Sequence, residues 1–253
     1  MIPATATAGL AALPGGHSDA RGVVHREVEV VAMTGRDEEL LAATGTGTAA
    51  LVTELLTRCV RRIGDIAPVT EDVAQHLLVA DRQFLLLKVR EATFGTAARS
   101  SISCPWADCG QRIDIEFATS AIPVVESVDK GPDYSFLLDA TDAVRGAGQA
   151  HRELTFRLPN GADQEALSPL LHHNEAAALT GLLGRCVTRI GPFSPAPPEL
   201  LARLSPRARR SVERRMAEVA PQVDLTMEST CPSAGGTIPS RSRSRASCSG
   251  SCG

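Results

Sequence analysis

The chain has 253 residues, 43% of them apolar and only 3% aromatic, so its core has to be built from Leu, Val, Ile and Ala. A formal charge of −3 and a pI near 6.1 give no electrostatic footprint for nucleic acid, whose phosphates call for a cationic surface. No apolar run approaches the roughly 18 residues that cross a bilayer, and the first residues lack the charged start and apolar middle of a signal peptide. The expected location is the cytoplasm, where closely spaced cysteines bind metal more often than each other.

Residues 1–22 are small, contain Gly and Pro, show no periodicity and are read as disordered. A first unit, 23–118, opens on an alternating strand from Glu27 to Met33. The stretch Thr34-Gly35-Arg36-Asp37-Glu38-Glu39 then reads as a helix start, because carboxylates favour the positive end of a helix dipole. A helix over Ala49–Arg62 places Val52, Leu55, Leu56, Cys59 and Ile63 on one face, with Gly64 ending it. A second helix over Glu71–Glu91 carries a seam of Val73, Leu77, Ala80, Phe84 and Leu87. The segment SISCPWADCGQRIDIEF closes the unit as a cysteine knuckle between two short strands.

A linker, 119–147, contains the breaker Lys130-Gly131-Pro132 and runs into a second one, Gly146-Ala147-Gly148, at its end. In the second unit, 148–232, a strand near Glu153–Leu158 leads to a helix over Ala176–Arg189. A further helix over Pro198–Ala220 has Leu201, Leu204, Ala208, Val212 and Met216 on one face, and VDLTMESTCP follows. The two units match in order. LTRCVRRIG from Leu56 answers LGRCVTRIG from Leu183, and Cys104-Pro105 answers Cys231-Pro232, both 127 residues apart. HREVEVVAMTGRDEELL from His25 answers HRELTFRLPNGADQEAL from His151 at 126. The expected fold is α+β: two duplicated strand-helix-helix-β-knuckle units sharing a degraded, zinc-ribbon-like four-cysteine clamp.

Structural zinc takes four thiolate or imidazole ligands in a tetrahedron. Cys104 and Cys109 supply one pair, and Cys231 supplies the first member of the other. The fourth ligand is expected where Ala234 stands. After Pro232 the chain turns into a Ser/Arg/Gly string, read as a frameshifted and disordered tail, 233–253. Restoring one lost nucleotide after the Pro232 codon yields a C-x2-C pair and an alternating strand. The cofactor implied is structural zinc at an incomplete site. There is no HExxH or comparable motif for catalysis, so no enzyme is expected. Cys59 and Cys186 sit between apolar neighbours and read as buried small hydrophobes. His172-His173 reads as a surface pair, and the six arginines from Arg203 to Arg215 as a solvated helix face or a docking surface for an acidic partner.

The ordered set TGRDEELL, LLTRCVRRIG, LLVADRQFLLLKVREATFG and CP…CG followed by a strand resembles the T4-type baseplate hub assembly chaperones and related baseplate proteins of contractile phage tails, relatives of which occur in gene clusters for phage-tail-like contractile injection systems. The resemblance is strongest over about residues 26–117, and ADRQFLLLKVRE at Ala80–Glu91 is its most specific piece. It implies a non-enzymatic assembly chaperone or structural component of the baseplate hub. Its partners would be hub or spike proteins, with no nucleic acid and no membrane. The C-x4-C spacing of Cys104 and Cys109 and the broken second knuckle depart from the family's paired C-x2-C pattern. The alternative is a zinc-ribbon-type nucleic-acid-binding or regulatory protein. The acidic balance and the lack of stacking aromatics near the knuckle count against it.

Overall fold

The computed structural model describes residues 9–42, 48–104, 106, 109–127, 131–171, 173–233 and 237–241. Three antiparallel strands, β1 (Gly9–Ser18), β2 (Val24–Val30) and β3 (Val60–Ile63), form the first sheet in the order β1-β2-β3. Helices α1 (Gly35–Ala42), α2 (Thr48–Cys59), α3 (Glu71–His76) and α4 (Val79–Phe94) accompany it. Leu13, Val28 and Val30 of the sheet share a core with Leu55, Leu56, Leu85 and Val89 of the helices and with Leu77 between α3 and α4. Part of the aliphatic supply noted in the sequence is thus gathered into a first apolar cluster.

Strands β4 (Ala97–Ser103) and β5 (Arg112–Ala118) form a hairpin, paired without a break from Ala97↔Ala118 to Ser103↔Arg112. Beyond β6 (Val124–Val125) come β7 (Tyr134–Leu137), β8 (Val144–Gly146), β9 (Gln149–His151) and β10 (Glu153–Phe156). Then follow α5 (Gly161–Leu171), α6 (Glu175–Cys186), β11 (Val187–Ile190), α7 (Pro198–Ala202) and α8 (Pro206–Val219). The sheet here runs β11-β10-β7, and a second core gathers Leu154, Phe156, Leu183, Ile190, Val212 and Met216. Strand β12 (Gln222–Val223) pairs with β6, and β13 (Thr226–Thr230) with β14 (Thr237–Arg241). The fold is mixed α/β.

Several elements differ from the sequence expectation. Residues 9–18, expected to lack structure, form β1, with Leu13 fully buried. Its alternation is hidden because Pro14-Gly15-Gly16 breaks the register between Ala12 and His17. The helices expected to run to Arg62 and Arg189 stop at Cys59 and Cys186, and the four residues after each are strand. The β-branched Val60, Ile63, Val187 and Ile190 are buried there, so sheet pairing outweighs continuation of the helix. Gly64 therefore caps a strand, not a helix. The Glu71–Glu91 helix is broken between α3 and α4, where the Leu77 carbonyl turns outward to accept the Gly161 N–H at 3.1 Å. The expected linker contains β7, whose register on β10 runs from Glu153↔Leu137 to Phe156↔Tyr134. Residues 237–241, placed by the sequence in the shifted tail, pair with β13 with Pro239 opposite Glu228, a position where the ladder lacks an N–H. Residues 234–236 and 242–253 of that tail lie outside the described residues.

Matching positions have matching geometry. Gly64 and Gly191 both hold φ of 54°, and their N–H groups reach Glu27 O at 2.7 Å and Glu153 O at 2.9 Å. In each case a Cβ would run into an imidazole, His25 or His151, so the positive φ and the close approach both call for glycine.

The Asp37 carboxylate, at the start of α1, accepts from the Thr34 N–H and hydroxyl at 2.7 Å and faces Arg58. Its counterpart Asp163 accepts from the Asn160 N–H at 3.0 Å, while the Asn160 side chain accepts from the Asp163 N–H. Arg157 binds Asp163 through two nitrogens, and Arg185 adds a third bond at 2.7 Å. Burial alone would raise the Asp163 carboxyl, but these donors outweigh it and hold the group below its usual range. The Asp-Glu-Glu run is therefore a helix cap tied to the arginine before the helical cysteine. That accounts for why TGRDEELL and LLTRC occur together.

The two halves meet where α5 covers α2, α3 and α4. Arg82 of α4, 1% exposed, donates to Thr53 Oγ1 at 2.9 Å and to the carbonyls of Ala74 and Ala49, each at 2.8 Å. From α5, Glu165 closes on Thr53 and accepts from Gln75 Nε2 at 2.8 Å. Gly161 lies so close that a Cβ would collide with the Arg82 guanidinium. Glu165→Arg is expected to cost about 2–3 kcal/mol of stability, read by urea unfolding, since it sets a second cation against a buried one.

Candidate metal centre

The three cysteines singled out by the sequence come together although they lie on different hairpins. Cys104 follows β4, Cys109 precedes β5, and Cys231 follows β13. Their sulfurs all lie within 4.8 Å of one another, and Cys109 Sγ is 3.6 Å from Cys231 Sγ. The turn holding the first pair is closed by backbone bonds: Cys104 N–H to Gln111 O at 2.8 Å and Cys109 N–H to Trp106 O at 3.0 Å. Gly110 supplies the positive φ of 60° that lets the chain re-enter β5. A side-chain bond from Ser233 to Gln111 ties the segment after Cys231 to the same turn.

Cys104 and Cys231 are buried and Cys109 is half-buried, with Ile102 and Ile113 packed around them. Burial is the main influence on the Cys104 thiol; the Trp106 N–H opposes it, the Cys231 and Cys109 sulfurs add to it, and the net effect is a rise to about 11. A divalent cation among the sulfurs reverses this, because thiolates then form with their charge compensated. The geometry fits such an ion. Tetrahedral thiolate coordination with metal–sulfur bonds of about 2.3 Å sets sulfurs about 3.8 Å apart. Three cysteines can therefore bind a metal here. The expected fourth position, Ala234, lies outside the described residues.

The remaining candidates fall as the sequence suggested. Cys59 and Cys186 are buried at 1% and 0% exposure, and burial lifts their thiols to about 11 and about 12. They are inert core residues. His173 is exposed, and its neighbour His172 lies outside the described residues. Sequence reasoning missed Asp81 and Arg82, which lie off the apolar seam assigned to this helix. Both are buried, at 0% and 1% exposure. A signal was present, since the two charges sit inside the most family-specific segment.

Residues 13–238 match the family model for the T4 bacteriophage base plate protein. The chain belongs to that family. The match takes in both sheets, both cores and all three clustered cysteines, so the base plate protein fold extends over the two halves together. No curated protein and no solved structure matches the chain. Among the described residues, no helix of this base plate protein is long and apolar enough to cross a membrane.

Proposed function

We propose that the protein is a non-enzymatic assembly chaperone or structural component of the baseplate hub in a contractile phage tail-like particle, with hub or spike proteins as its partners. The observation that carries the reading is the base plate family match across residues 13–238. Two duplicated units give it a physical form: a rigid scaffold, each half with its own core, held at a fixed relation by the Arg82 seam and by the knuckles. The equal φ of Gly64 and Gly191 and the matching Asp37 and Asp163 caps support the duplication. Deleting the gene is expected to leave cells without assembled baseplates, seen as missing or spike-less particles by electron microscopy. Intact, firing-competent sheaths in the deletion strain would overturn the role.

The same reading assigns Cys104, Cys109 and Cys231 to a structural zinc clamp, supported by the sulfur spacing and the Trp106 N–H directed at Cys104. When bound, zinc would hold the thiols as thiolates and join the two hairpins. With the fourth cysteine lost to a shifted frame, purified protein is expected to carry less than one zinc per chain, and a frame-restored chain a full equivalent. Metal analysis before and after chelation decides it, and absence of zinc from both chains defeats the clamp.

A further inference from the structure

The seam that joins the two halves has an open counterpart on each of them. In the first half, the Arg82–Thr53 pair is covered by α5 through Gly161 and Glu165. In the second half the matching pair, 127 residues on, is Arg209 and Thr180, and it has formed with the same 2.9 Å bond. Thr180 also repeats the bond of Thr53 to its own helix, reaching Ala176 O as Thr53 reaches Ala49 O. Among the described residues no element covers this pair: Thr180 is exposed and Arg209 half-buried, whereas Arg82 is 1% exposed.

The covering element is also duplicated. Helix α1 carries Gly35 and Glu39 at the positions of Gly161 and Glu165, 126 residues earlier. Gly35 has open space where a Cβ would be, and Glu39 is exposed. Leu41, the counterpart of buried Leu167, is 44% exposed. One chain therefore presents a socket without its helix at one end and a helix without its socket at the other.

We infer that α1 of one copy docks on the Arg209–Thr180 surface of a second copy, repeating between chains the contact that α5 makes within one. This rests on the duplication proposed above. The contact is heterologous, so it builds a ring or an open stack, not a two-fold dimer. Charge favours it: α1 presents Glu38 and Glu39 to a helix bearing Arg209, Arg210 and Arg214. Ala202 stands where Gln75 does, so the open socket has one donor fewer for the glutamate than the closed one. A weaker, reversible contact suits a joint between copies, while the stronger version is kept inside the chain.

Sedimentation velocity on the full chain tests this with two charge reversals, one on the exposed Glu39 and one on the half-buried Arg209. Wild type is expected to associate with rising concentration and to dissociate with added salt. Glu39→Arg alone and Arg209→Glu alone should each remain monomeric, since in each homotypic pair like charges meet. An equimolar mixture of the two should associate again, because every plug then finds a socket of opposite charge. A monomeric wild type, unchanged association in both variants, or a mixture that stays monomeric overturns the contact. Those outcomes leave the base plate role to be decided by the deletion strain, and the internal seam by the unfolding of Glu165→Arg.

Discussion

Arg82→Ala is expected to destabilise the protein by about 3–5 kcal/mol, a fall in Tm of roughly 10 °C. The side chain joins three elements by hydrogen bonds: it ties the Thr53 hydroxyl and the Ala49 carbonyl of α2 to the Ala74 carbonyl of α3 from a position on α4. Truncation removes the guanidinium donor from the Ala74 carbonyl in a region sealed by α5, where an orphaned buried group costs about 1–3 kcal/mol, and weakens the network at Thr53 and Ala49. A void is added where the guanidinium lay against Gly161. Little water reaches the side chain, which is 1% exposed, and this burial lowers the guanidinium to about 10. Arg82→Lys should recover only part of the loss, since an ammonium cannot span three acceptors in the guanidinium's planar fork. Urea unfolding of both variants measures the effect, and a cost below about 1 kcal/mol for the alanine variant would remove Arg82 as the keystone of the seam.

The neighbouring carboxyl should act in the opposite sense. Asp81→Asn is expected to leave the fold intact, raise stability near neutral pH by about 1–2 kcal/mol and flatten its dependence on pH between about 4 and 6. Asp81 Oδ1 accepts from the Gly15 N–H at 2.7 Å, holding the break in β1, but Oδ2 is buried with no partner among the described residues. Burial, partly offset by the Gly15 and Gly16 N–H groups, raises the carboxyl from 3.8 to about 6. The folded protein thus holds this proton where the unfolded chain has lost it. The stability contributed by protonation is complete below the unfolded value near 3.8 and is lost as pH rises through about 6. The span corresponds to about 3 kcal/mol. Asparagine keeps the acceptor for Gly15 and carries no charge to bury. Parallel unfolding curves at pH 4, 5, 6 and 7.5 test it, and an equal slope in wild type and Asp81→Asn would show that another group governs the dependence.

What could be read from the sequence followed from periodicity and repetition. Strand β10, the starts of α2, α3 and α6, and the buried state of Cys59 and Cys186 all rest on local patterns that packing then reinforced. The strand–helix boundaries at Cys59 and Cys186 were not legible, because VRRI and VTRI continue a helical face as well as they fill a strand. Only the partners Val28 and Leu154, from a distant element, decide between the two. Strand β1 was hidden by its own Pro14-Gly15-Gly16, which signals a loop but here makes a bulge held by Asp81. The cysteines could be chosen by residue type and spacing, whereas their meeting depends on two hairpins converging. Asp81 and Arg82 could not be placed by periodicity, since what buries them is remote in sequence: the Gly15 bulge of β1 for Asp81 and α5 for Arg82.

The order of the three cysteines along the chain sets a timetable for synthesis. Cys109 and Cys231 are 122 residues apart, and the whole second unit lies between them. During translation the first hairpin emerges with two thiols and must wait while α5 finds its socket and the second sheet closes. The last sulfur arrives only after α8 has left the ribosome. Closing so long a loop on an unfolded chain is entropically costly, so the triad forms readily only once both halves are folded and docked. Its completion is therefore a record that the scaffold was made whole, and a chain cut short in its second half is left with an exposed, unfinished knuckle.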